Sequence, residues 1–151
     1  MVLLLMGMKH PGKSSVAPLL AQRLQGEWLD LDDEIEKIYQ EHPVVKEHRN
    51  EKHSTSFSSR EIYKKEGEKR FRELEALALK RVLKRISERT RATKNSPYFL
   101  LVIAAGGGLG DNPEALKAAE KADYRIYIDT PTEVLYQRGR RGGLPAYLPK
   151  E

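Results

Sequence analysis

Short apolar runs alternate with longer amphipathic stretches along this chain, and that alternation carries the fold. Residues 2–6, "VLLLM", contain no polar interruption, the pattern of a strand buried on both faces. After a loop at 7–12, the spacing predicts a helix over 13–25 with Val16, Leu19, Leu20 and Leu24 as its apolar stripe. "EWLDL" (27–31) reads as a second strand. The acidic "DDEIEKIY" that follows opens a helix, its carboxylates suiting the positive N-terminal end. Residues 42–57 are polar and hold three of the four histidines, so they read as an exposed insertion. Ser58 and Glu61 then have capping-box spacing, which starts a helix. A longer helix is predicted from about 67 to 91, with Leu79, Val82, Leu83 and Ile86 as its later stripe.

The near-continuous apolar run at 98–104 predicts a third strand in a central position. A glycine loop, "GGGLGDNPEALKAAEKA", feeds the next helix, with Pro113 at its first turn. Residues 124–129 form the fourth strand, and Thr130 with Pro131 opens a last helix running into "RGRRGG". Strands joined only through helices imply a parallel α/β sheet flanked by helices. With 151 residues, one domain spanning 1–151 is expected.

Composition narrows the partners. The net charge of +5 favours anionic ones, but nucleotides, phosphorylated metabolites and nucleic acid all qualify. The basic run "KRVLKRISERTRATK" reads as the solvated face of a helix, so no nucleic-acid partner is expected. There are no cysteines, which excludes disulfide and thiolate chemistry and fits a reducing cytoplasm. The apolar run at 2–6 is too short to span a membrane and lacks a basic segment before it. A cytoplasmic monomer without membrane association is therefore the expectation.

Gly7-x-x-x-x-Gly12-Lys13-Ser14 fits the Walker A pattern, between a buried strand and a helix. Its glycines let successive amides turn onto phosphate oxygens, and the helix start adds unpaired N–H groups. The nucleotide-binding set is thus Gly7, Met8, Lys9, His10, Pro11, Gly12, Lys13, Ser14 and Ser15. Pro11 has no N–H to donate, and His10 could contact phosphate but reads rather as a surface histidine. Lys13 would reach the β- and γ-phosphates of ATP, and Ser14 would offer its hydroxyl to Mg²⁺.

The acceptor side begins at "LDLDDEIE". Asp30 and Asp32 fall at the carboxyl end of a strand, where open α/β sheets bind ligands. One carboxylate would hold the metal through water, and the other would orient a hydroxyl and take its proton. Helix capping is the competing role, one that suits Asp32 or Asp33, and Asp33 reads as a cap. Arg72 offers a planar fork matched to a carboxylate, with Glu68 and Glu75 spaced to hold it or simply to pair with it. Three successive glycines, Gly106, Gly107 and Gly108, exceed what a turn requires and suggest close backbone approach to a ligand.

"GMKHPGKSSVAPLLAQRL", "WLDLDDEIE", "REIYKKEGEKRFRELE" and "LLVIAAGGG" stand in the order and spacing of shikimate kinases, and the chain resembles that family over most of its length. The resemblance implies a three-layer P-loop kinase fold with strand order 2-3-1-4 and a fifth edge strand further on. It implies ATP-dependent phosphorylation of the 3-hydroxyl of shikimate, with ATP and Mg²⁺ as cofactors. Carried over, Lys13 and Asp32 would be catalytic, and Asp30 would hold Mg²⁺ through water, with Ser14 as its other ligand. Asp32 would also bind the acceptor hydroxyls. Arg72 would grip its carboxylate, and Gly106, Gly107 and Gly108 would line its pocket. Arg138 would stack on adenine. Residues 33–75 would form the substrate-binding subregion, with the insertion at 42–57, and 139–149 the lid.

Three departures qualify the likeness. The segment at 42–57 is longer than the family's connection. Leu144 stands where the family has a lid arginine, leaving Arg140 or Arg141 as substitutes. After Glu151 the family continues through a lid helix, a strand and a final helix, which carry a second arginine for the carboxylate. A kinase for another polyol acid such as gluconate, or a non-catalytic nucleotide-binding relative, stays open on the sequence alone.

Overall fold

The structure, a computed structural model, describes residues 1–41, 57–92 and 99–142. Four parallel strands make one sheet: β1 (Val2–Met6), β2 (Glu27–Asp30), β3 (Leu101–Ala104) and β4 (Tyr124–Tyr127). Their order is β2-β3-β1-β4, as the resemblance implied. Leu4 of β1 pairs with Ile103 on one side and Arg125 on the other, and Trp28 of β2 pairs with Val102. The most apolar runs, β1 and β3, take the two inner positions, where both faces are covered. All four residues of β4, at one edge, are exposed.

Among the described residues the α-helices are α1 (Lys13–Arg23), α2 (Leu31–Glu41), α3 (Ser59–Ala92), α4 (Pro113–Ala119) and α5 (Thr132–Gly142). Alternation along β1 divides the core. Leu3 and Leu5 pack with Ala17 and Ala21 of α1, whereas Leu4 packs with Leu79 and Val82 of α3 and Ala115 of α4. Leu4 is fully buried, so Leu4→Ala would cost roughly 2–5 kcal/mol. The α3 stripe predicted from Leu79, Val82, Leu83 and Ile86 is buried throughout.

The α1 stripe is different. Val16, Leu19 and Leu24 are 39%, 66% and 43% exposed, and Leu20 alone of the four packs on the core. The face against the sheet is made by Ala17 and Ala21. Small side chains one turn apart let the helix lie close to the strands, which holds the preceding loop against the end of β1. The helical spacing was right, but size rather than hydrophobicity chose the buried face.

Gly67 interrupts α3 with φ 80° and ψ 170°, a conformation that L-residues seldom adopt. Two helical legs result, as the sequence suggested. The capping box at the start of the first leg is formed. Ser58 N donates to Glu61 Oε2 at 2.9 Å, and Glu61 N donates to Ser58 Oγ at 3.4 Å. The proposed insertion lies outside the described residues except for Phe57, which packs edge-on against Tyr39 at 5.7 Å. No helix among the described residues is long and apolar enough to cross a membrane.

Candidate active site

One cleft of about 640 Å³ opens at the carboxyl ends of the strands. Its two sides are built from different materials.

The first side is the β1–α1 loop. Gly7 and Gly12 have φ of 141° and 103°, and His10 also takes positive φ, 68°. This sharp path folds the loop around the Lys13 ammonium, which donates to Gly7 O at 2.7 Å and to Met8 O at 2.5 Å. Lys13 is buried. Desolvation lowers its pKa to about 8, while Asp32 and Asp30 oppose the shift. A cation buried this way is a preformed counter-charge for phosphate. Lys9, His10, Pro11, Gly12, Lys13, Ser14 and Ser15 all line the cleft. Gly7 and Met8 do not, and serve through the carbonyls that hold Lys13. From α5, Arg138 donates to His10 O at 3.1 Å and reaches the same wall.

Asp30 joins this side to the other. Ser14 Oγ donates to its Oδ2 at 2.6 Å, and its Oδ1 accepts from Asp32 N at 3.0 Å. The cap of α2 is therefore Asp30 rather than Asp32 or Asp33, because β2 passes directly into the helix at Leu31. One carboxylate thus caps α2 and bonds to the Ser14 hydroxyl. Among the described residues no group of three or more His, Cys, Asp or Glu could hold a metal ion. Ser14 and Asp30 offer only one hydroxyl and one carboxylate, the sparse donor set Mg²⁺ takes when phosphates and water complete its shell.

The acceptor side gathers distant parts of the chain. Asp32 sits at the cleft floor beside Gly106. Burial raises its pKa to about 6, Asp30 adds to this, and a hydrogen bond from the Ser59 side chain opposes it. That value leaves the carboxylate ionised at neutral pH yet basic enough to accept a proton. Arg72 Nη1 donates to Gly108 O at 2.6 Å and lies 3.3 Å from Glu75; its Nη2 lies 3.5 Å from Glu68. Both predicted partners are thus in place. Glu75 is buried and also accepts from Asn112 Nδ2 at 2.9 Å, while Asn112 Oδ1 caps α4 through Ala115 N.

Each of the three glycines faces a different site residue. A Cβ on Gly106 would lie 2.9 Å from Glu75 Oε1, and one on Gly107 would lie 2.9 Å from the Lys9 backbone. On Gly108 it would collide with the Arg72 guanidinium. The close approach inferred from the sequence is therefore first an approach to neighbouring site residues.

Several lining residues were not singled out from the sequence. Ser59, Arg60, Tyr63 and Phe71 of α3 form one wall. Ser59, Arg60 and Tyr63 stand on the first leg and Phe71 beyond the break at Gly67, so no single helical period marked them in the sequence. Lys9, assigned to the nucleotide loop, is also an acceptor-side residue, since Arg60 and Asp32 are its charged neighbours. Arg140 and Arg141 do not line the cleft; the Arg140 guanidinium lies 5.9 Å from the centre of the Tyr136 ring. Leu144 lies outside the described residues.

Comparison with known proteins places this geometry. Residues 10–146 match the family model described as shikimate kinase. The chain is 34% identical to the shikimate kinase of Persephonella marina over 134 residues, covering 89% of this chain and 64% of that relative. It superposes on the crystal structure of Aquifex aeolicus shikimate kinase with a TM-score of 0.64 at 31% identity, covering 91% of this chain and 69% of that one. Against Acinetobacter baumannii shikimate kinase in complex with shikimate, the TM-score is 0.69 at 26% identity, covering 93% and 63%. The chain thus spans somewhat under two thirds of the length of the Persephonella relative.

Proposed function

This chain belongs to the shikimate kinase family, and on that premise we propose that it transfers the γ-phosphoryl group of ATP to the 3-hydroxyl of shikimate. One observation carries the reading: the phosphate loop with Lys13 and Ser14 shares a single cleft with Asp32, Arg72 and the three glycines. The complex of the Acinetobacter relative with shikimate supports the choice of acceptor.

In this reading Lys13 neutralises charge on the transferring phosphoryl group, and Arg138 flanks the nucleotide. Ser14 and Asp30 are the residues that would hold Mg²⁺, Asp30 through water, and the ion would supply charge neutralisation on the phosphates. Asp32 accepts a hydrogen bond from the acceptor hydroxyl and takes its proton as the new O–P bond forms and the bond from the γ-phosphorus to the departing ADP oxygen breaks. Arg72, braced by Glu75, orients the acceptor carboxylate. Catalysis is then mostly positioning and charge neutralisation. The acceptor-binding subregion is assigned to 33–75 and the lid to 139–149, of which 42–56 and 143–149 lie outside the described residues, in a chain that acts as a cytoplasmic enzyme on a small molecule.

An ADP-release assay with shikimate, with gluconate and with no acceptor tests this. Release that depends on shikimate is expected. Release that depends on gluconate instead, or is indifferent to acceptor, contradicts it.

A further inference from the structure

The first N–H groups of a helix have no intrahelical partner, so an acceptor from outside must meet them. At Ser59, the first residue of α3, that acceptor is Glu36: Ser59 N donates to its Oε1 at 2.8 Å. Glu36 stands one turn beyond Asp32 on α2, so the two carboxylates share a face of that helix. The Ser59 hydroxyl bonds to Asp32. Ser59 thus directs both of its donors at one face of α2, and with Asp32 it lines the cleft. Two further contacts hold it there. The box between Ser58 and Glu61 fixes the turn that carries Ser59, and Tyr39 of α2 donates its hydroxyl to Glu66 at the far end of the first leg.

The charges around Asp32 show what this hydroxyl opposes. Asp30 Oδ1 accepts from Asp32 N at 3.0 Å. Glu75 is close as well, since a Cβ on Gly106 would lie 2.9 Å from Glu75 Oε1 and 3.5 Å from Asp32 Oδ1. With Glu36 these make three carboxylates that repel that of Asp32, while Lys9 and Lys13 attract it toward the phosphate loop. An unrestrained carboxylate would turn to the lysines. There it would neutralise cations that face phosphate and leave the acceptor hydroxyl without a base. A hydrogen bond from the α3 wall draws it the other way, and a bond to an ionised acceptor is one of the stronger kind.

We propose that Ser59 is a positioning residue for phosphoryl transfer: its hydroxyl holds the Asp32 carboxylate toward the acceptor hydroxyl and away from the phosphate loop. This rests on the kinase reading for the part Asp32 plays, whereas the contact between the two side chains does not. A serine that only started a helix would keep its hydroxyl within its own turn. Ser58, next to it, does so, its Oγ meeting Glu61 Oε2 and Glu61 N. Ser59 instead reaches across to another helix.

The test compares the full chain with Ser59→Ala, with Ser59→Thr, which keeps a hydroxyl, and with Ser59→Ala combined with Asp32→Ala. Ser59→Ala is expected to lower kcat about 10- to 100-fold and to raise KM for shikimate about threefold, with KM for ATP within about twofold. Ser59→Thr should stay within about threefold of the parent chain. In the Asp32→Ala background, Ser59→Ala should lower transfer no further. An unchanged kcat in Ser59→Ala, a loss that the threonine does not restore, or a further fall in the Asp32→Ala background overturns the proposal. Should the parent chain not phosphorylate shikimate, denaturant melts of the parent, the two single alanine variants and the double variant separate the questions. A loss of stability on Ser59→Ala that vanishes in the Asp32→Ala background supports the contact although the activity reading has failed. An equal loss in both backgrounds, or none in either, overturns it.

Discussion

The two sides of the cleft reach similar precision by opposite routes. The phosphate side is local: Gly7 to Ser14 are consecutive, and the loop holds Lys13 with its own carbonyls. The acceptor side is assembled from α2, α3 and the loop after β3, and depends on the core to bring Asp32, Arg72 and Gly107 together. A local site survives disturbance elsewhere, whereas an assembled one fails when any contributor shifts. Substitutions on the two sides should therefore separate nucleotide binding from acceptor use.

The largest separation is expected at Lys13. Lys13→Met should lower transfer at least about 10³-fold and weaken ATP binding, with little change in acceptor binding measured by calorimetry. Loss of acceptor binding to the same degree would mean that the two sides are not independent.

Next comes Asp32→Asn, expected to lower transfer about 10²- to 10⁴-fold while ATP binding persists. Its stability effect has the opposite sign. Asp32 holds its proton more tightly in the folded chain than its ordinary 3.8, so its ionised form opposes folding. That penalty is absent below about 3.8, grows as pH rises through about 6 and is complete above, reaching on the order of 3 kcal/mol. Thermal melts should therefore find Asp32→Asn more stable than the parent at pH 8, with the gain shrinking toward pH 4. The same two groups shape activity. With Asp32 near about 6 and Lys13 near about 8, kcat/KM should rise through the first value and fall through the second.

Gly107→Ala comes third. Its Cβ would meet the Lys9 backbone, which cannot swing away, at 2.9 Å. Overpacking of this kind costs about 1–3 kcal/mol. Calorimetry should show acceptor affinity falling more than ATP affinity. The smallest effect is expected at Ser58→Ala, which removes the box at the start of α3 and should cost about 0.5–2 kcal/mol in denaturant melts. Because Ser59, whose side chain bonds to Asp32, follows directly, acceptor KM should move with it.

The same contrast explains how much was legible in the sequence. The order of elements, the parallel sheet and the phosphate loop follow from local signals: uninterrupted apolar runs, glycine placement and Lys13 at the start of a helix. The residues that brace Arg72 were legible too, because helical spacing alone brings Glu68 and Glu75 beside it. Other features depend on tertiary approach. The inner face of α1 belongs to Ala17 and Ala21, because closeness to the sheet outweighed the larger apolar stripe. The cap of α2 is Asp30, a choice that depended on where β2 stops.

The central claim is that one cleft joins a nucleotide to a hydroxylated carboxylate and moves a phosphoryl group between them. The most direct test is ³¹P NMR of the chain incubated with Mg–ATP and shikimate. A new phosphomonoester resonance, growing as the ATP γ signal declines and absent in Asp32→Asn, is the predicted result. Inorganic phosphate as the only product, or a spectrum indifferent to shikimate, would contradict the account.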